Sequence, residues 1–193
     1  MAAEAAREIV REAVVNGVDV DALFATIDAV KGNPGIAKFN FRLTNKWVNG
    51  GRNHSKIVDF YGALEDHPHE AQFELDVDEP RLLLGEDKAP NPVEYVLNAL
   101  AGCLTSTIVY HAAAKGIKIR GVESRLEGDL DLRGFLGLSE DVKVGYEGIR
   151  VSFKIDADIS DEEKEELIRM AQKYSPVFNT VAHPVPVSVQ LEK

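Results

Sequence analysis

The chain has 193 residues, a net charge of −10 and one cysteine. That length suits one core with room for a small appendage, and the negative charge excludes the phosphate-neutralising surfaces that bind nucleic acid or anionic membranes. A lone cysteine excludes an intrachain disulfide framework and points to a reducing, cytoplasmic setting, and the opening MAAEAAREIV lacks the basic-then-apolar order of a secretory signal.

Helical spacing runs through 3–16 and again through 20–31, with Asn16-Gly17 as a stop and Asp19 as an N-cap. Gly32-Asn33-Pro34-Gly35 then breaks the chain, so 1–35 is expected as a helical appendage and 36–193 as the main domain. The apolar period next becomes two: Phe39, Phe41, Leu43 and Trp47 predict a strand, and Asn49-Gly50-Gly51 a turn. Ile57, Val58 and Phe60 predict a second strand, and Ala71, Phe73, Leu75 and Val77 a third. His67-Pro68-His69 is expected in a solvated loop, and so are residues 78–91, rich in Asp, Glu, Gly and Pro.

From Pro92 to about Lys115 the pattern predicts a helix that is apolar nearly all round, with Pro92 and Glu94 in its first turn and Gly116 as its stop. Glu94, Asn98 and His111 interrupt it, which favours the centre of a core over a membrane, with a second subunit supplying part of its cover. Strands are expected within 117–132 and 149–157. Ser160 and Glu163 form a capping box opening a helix to about Lys173, and Val185, Val187, Val189 and Leu191 alternate in a final edge strand over 184–191. Strand runs around two main helices predict an α+β domain.

No metal-ligand spacing, P-loop or strand-borne GxGxxG occurs, so neither a metal nor a nucleotide cofactor is expected. His54 and His183 are isolated. His111 lies about 12 Å along the helix from Cys103 and reads as a satisfied core or interface histidine. Cys103 is the candidate for chemistry. A cysteine on an apolar helix is by default a small buried hydrophobe, and a reactive one needs a cation to hold its thiolate. About three turns into the helix, Cys103 gains little from the helix dipole, so the cation must come from elsewhere. The best candidate is an arginine on a loop.

The succession Gly50-Gly51-Arg52, Asn91-Pro92-Val93-Glu94, Leu100-Ala101-Gly102-Cys103 and Tyr174-Ser175-Pro176-Val177 resembles the OsmC/Ohr family of thiol-dependent hydroperoxide reductases, over residues 37–191. The resemblance implies an intertwined homodimer with antiparallel sheets around long central helices. It also implies Cys103 as the peroxidatic thiol, Arg52 as its activating cation and Glu94 as the carboxylate orienting Arg52. Glu94 precedes Cys103 by nine residues, which places the two on opposite sides of a helix with roughly 13 Å of rise between them. Glu94 therefore serves Arg52 across a dimer interface, or simply favours the helix N-terminus; some family members carry the glutamate one residue earlier, where this chain has Val93.

The family's second, resolving cysteine corresponds to Ser175, so the implied cycle is a one-cysteine one with an external thiol as reductant. Leu97, Leu100 and Leu104 favour small apolar hydroperoxides as substrates, a role in oxidative-stress defence. Two other readings stand beside it: a binding module of the same fold with an inert Cys103, and a cysteine hydrolase with a base such as His183. Nucleic acid and membrane are not expected as partners.

Overall fold

The computed structural model describes residues 13–183 and 185–192. Most of the helix expected over 3–16 lies outside them. Its end is not helical: Val14–Val15 is a short strand, β1, that turns through Asn16 and Gly17 (φ 55° and 77°) into β2, Val18–Asp19. Gly17 supplies the positive φ that a tight reversal needs, and the two strands pair antiparallel. Helix α1 follows at Val20–Gly32, its start capped as expected by Asp19, which accepts from the Ala22 N–H at 2.9 Å.

Then come β3 (Asn40–Phe41), β4 (Thr44–Asn49), β5 (Arg52–Gly62), β6 (Glu65–Val77), α2 (Pro92–Ala114), β7 (Ile119–Leu130), α3 (Leu132–Phe135), β8 (Tyr146–Ala157), α4 (Asp161–Tyr174) and α5 (Pro176–Ala182). The chain is α+β, as expected. Its described residues form two compact units: one gathers 13–25, 103–125 and 152–192, and the other 26–102 and 126–151.

In the second unit an antiparallel sheet is centred on β5. β4 and β3 pair along one side of it, and β6 along the other from Asn53↔Val77 to Gly62↔Glu65. The β5–β6 register shifts between Ile57 and Asp59, beside Pro68, where proline's missing N–H is tolerated on an edge strand. His67 and His69 are therefore on a strand and not in a solvated loop. Their rings each lie 5.2 Å from the Phe60 ring, His69 reaches Phe73 at 5.0 Å, and Phe39 and Phe41 extend the row. The local sequence is polar, but cross-strand stacking overrides it. Gly62 makes room for this row: a Cβ there would stand 2.3 Å from the Phe39 ring.

In the first unit Val15, Val20 and Ala113 form a small core with Val18 and Phe24 against it. Asn16 fastens the β1–β2 turn to the chain after α2, donating to the Ile117 carbonyl (2.9 Å) and accepting from the Ile119 N–H (2.8 Å). α4 opens on the Ser160–Glu163 capping box, and Leu167 and Ala171 are its buried residues.

α2 ends at Gly116 (φ 70°), as expected. Its burial is not all-round: Leu100, Leu104, Ile108 and Ala112 are buried at a spacing of four, while Tyr110 is 53% exposed. One chain covers one face of this helix. Of the strand expected over 184–191, the described residues 185–191 form none either. Residues 185–192 are neither helix nor strand, and Val187, Val189 and Leu191 are exposed. Alternation provides an apolar face, but a strand also needs an edge to pair with.

Candidate functional site

Cys103 is a free, partly buried thiol in the middle of α2. Below it, α4 ends and α5 begins at one residue, Ser175, which is fully buried. Ser175 joins the two helices because its side chain caps α5, accepting from the Phe178 N–H at 3.2 Å, while Pro176 at the first helical position has no N–H to satisfy. Asn179 fixes the junction by donating to the carbonyls of Gln172, Lys173 and Ser175. The Ser175 hydroxyl in turn donates to Cys103 Sγ at 3.1 Å. From the sequence alone Ser175 reads only as a missing sulfur. The Ser-Pro pair is a helix-start signal that would have predicted α5 and, with it, a buried, oriented hydroxyl.

On the same unit His111 stacks on Tyr174, ring centroids 5.2 Å apart. Burial, helped by the Lys115 charge, pushes its imidazole below the ordinary histidine range, so it is neutral near pH 7.

The other expected residues sit in the second unit. Arg52 opens β5 directly after the Gly50-Gly51 turn and is about one-third exposed. Its guanidinium Nη1 lies 3.7 Å from Glu86 Oε2 on the loop after β6. That loop is organised by Asp78, fully buried, whose carboxylate accepts from the backbone N–H groups of Glu79 (2.8 Å), Lys88 (3.1 Å) and Glu86 (3.4 Å). Burial alone would raise the Asp78 carboxyl, but those N–H groups and the Arg52 charge outweigh it and hold it below the usual range. Glu86 is shared with Lys88, whose ammonium and hydrogen bond lower its carboxyl also. Gly85 is required here, since a Cβ would fall 1.7 Å from the Glu79 carbonyl oxygen.

Glu94 is engaged elsewhere. Its carboxylate accepts from the Asn91 N–H at 2.9 Å while its own N–H donates to Asn91 Oδ1 at 2.9 Å, a reciprocal cap at the start of α2. Val93 at the neighbouring position offers only its carbonyl, which accepts from the Tyr146 hydroxyl at 2.8 Å. The structure thus brings Ser175 to Cys103, Glu86 and Asp78 to Arg52, and Asn91 to Glu94. Composition alone could not have found Asp78 and Glu86 in a loop of many acids.

The family model described as OsmC-like protein matches residues 85–190, more than half of the chain, and that span holds α2, Cys103 and Ser175. The chain belongs to the OsmC-like family. No curated protein is similar enough to match. Among solved structures, this OsmC-like chain is similar to an OsmC-like protein from Mycoplasma pneumoniae (TM-score 0.57, 21% identity, covering 75% of this chain and 89% of that one). An OsmC-like protein of unknown function from Vibrio cholerae gives a TM-score of 0.56 at 10% identity, covering 73% of this chain and 92% of that one. An organic hydroperoxide resistance protein, OsmC, from Legionella pneumophila gives 0.51 at 22% identity, covering 73% and 89%. At these identities the likeness establishes the fold. The family match itself covers Cys103, Glu94 and Glu86 but not Arg52.

Proposed function

We propose that this OsmC-like protein reduces small apolar organic hydroperoxides with Cys103 as its only redox thiol and an external thiol as reductant. The observation that carries the reading is Cys103 itself: a free, partly accessible thiol within the family-matched span, whose near neighbour is a hydroxyl and not a second sulfur. The Cys103 thiolate attacks the distal peroxide oxygen, the O–O bond breaks, and the alkoxide takes a proton and leaves as alcohol. Cys103 is left as a sulfenic acid. One external thiol displaces hydroxide to form a mixed disulfide, and a second releases Cys103 and carries off the disulfide.

Arg52, the one cation that the family resemblance assigns to this chemistry, keeps its charge at every working pH and is the proposed activator. Glu94 remains the orienting carboxylate by resemblance, although Glu86 and Asp78 are the acids beside Arg52 in this chain. The leucines at 97, 100 and 104 on α2 support an apolar substrate, and the name carried by the Legionella neighbour supports the hydroperoxide class. A homodimer is proposed from the same resemblance and is supported by the exposed Phe39, Phe41 and Phe73 on the sheet and by the partly covered α2. A cytoplasmic setting completes the proposal.

Dimedone trapping tests it. Treatment with cumene hydroperoxide at neutral pH should yield a dimedone adduct on Cys103, followed by turnover when a small thiol is added. No adduct would refute the peroxidase reading. It would leave the second one, favoured by Ser175 in place of a resolving cysteine: an OsmC-fold binding protein with an inert Cys103, in which Cys103→Ala leaves ligand affinity unchanged.

A further inference from the structure

We infer that Ser175 is a second catalytic group of this site, its hydroxyl donating to the Cys103 thiolate and holding Sγ charged and aimed for attack. The inference rests on Cys103 being the reacting thiol. It starts from the direction of two hydrogen bonds. The Phe178 N–H donates to Ser175 Oγ at 3.2 Å, so Oγ is an acceptor on that side, and its one hydrogen is turned toward Cys103 Sγ at 3.1 Å.

Three features make this contact more than packing. Ser175 is fully buried, so no bulk water competes for its hydrogen. A hydroxyl bonded to an ionised acceptor is held far more strongly than one bonded to a thiol, whose sulfur accepts weakly, so the contact favours thiolate over thiol. The donor is also held in place: the Ser175 N–H donates to the Ala171 carbonyl at 2.8 Å, Pro176 follows it, and Asn179 laces the surrounding carbonyls together. A free serine rotor would have to be ordered when the thiol ionises; this one is already ordered. The serine that cannot resolve a sulfenic acid is thus placed to prepare the thiolate that forms it.

A purely structural role for Ser175, the cap of α5, predicts different behaviour, and the two separate by experiment. The full-length protein and its Ser175→Ala, Ser175→Gly and Ser175→Thr variants are alkylated with iodoacetamide at pH 7 and pH 10, and their consumption of cumene hydroperoxide is followed at pH 7. Glycine keeps a helix start nearly as well as serine but offers no donor, and threonine keeps both. Expected are alkylation about tenfold slower at pH 7 in the alanine and glycine variants, a much smaller difference at pH 10, and recovery in the threonine variant; a tenfold change corresponds to about 1.4 kcal/mol. Peroxide consumption falls in parallel.

The inference is overturned if folded Ser175→Gly alkylates like the native protein at both pH values, or if it is equally slow at both. It is also overturned if the native protein consumes peroxide and the glycine variant does so undiminished. A native protein that shows the Ser175-dependent alkylation profile and yet consumes no peroxide supports the hydrogen bond and refutes only the peroxidase reading.

Discussion

Replacing Ser175 with cysteine should give this chain the disulfide it lacks. Ser175 Oγ stands 3.1 Å from Cys103 Sγ. A disulfide needs about 2.05 Å between sulfurs, so closing it asks for about 1 Å of movement, part of which the longer C–S bond supplies. The bridge would join residues 72 apart, and chain-entropy reasoning for a loop of that length gives about 4 kcal/mol of stabilisation at 25 °C. Against that, the α5 cap that Ser175 provides is lost, at about 1 kcal/mol. Oxidised Ser175→Cys should therefore resist urea by about 4 kcal/mol more than its own reduced form, and by about 3 kcal/mol more than the native protein. The assay treats the variant with stoichiometric cumene hydroperoxide, counts free thiols, and maps the 103–175 crosslink by non-reducing peptide analysis. Two free thiols in a folded, peroxide-treated variant would refute the premise that Cys103 is oxidisable, and crosslinks only between chains would refute the 103–175 geometry.

Ile108, fully buried on α2, should lose about 2–5 kcal/mol of stability as Ile108→Ala, because the removed methyls leave a cavity in the one face of α2 that the chain covers; urea titration with an unchanged slope measures it. His111 should make the protein acid-sensitive. Its folded pKa lies below the ordinary value, so between the folded value and about 6.5 the unfolded chain binds the extra proton, and stability falls as pH is lowered through that window. His111→Gln should flatten the drop in urea midpoint between pH 7 and pH 5, and parallel curves for the two proteins would contradict the assignment.

Features that close within four residues were legible in the sequence. Asp19 caps α1, Ser160 and Glu163 box the start of α4, and Pro92 and Gly116 bracket α2, each because the partner lies one turn away. The order of motifs from Asn91 through Cys103 to Ser175 lies within the family match, and a family pattern is a linear property. His67 and His69 read as loop residues because their stacking partner Phe60 is on another strand, and among the described residues the Val185–Leu191 alternation pairs with no strand.

The sequence by itself determined the family, the α+β class and the identity of the one thiol. Only the tertiary structure decided what surrounds the candidate residues within this chain: Asn91 caps onto Glu94, Glu86 and Asp78 attend Arg52, and the Ser175 hydroxyl points at Cys103. Contacts between residues dozens of positions apart depend on how helices and strands pack, and packing energy is shared over many side chains, so no local pattern encodes it.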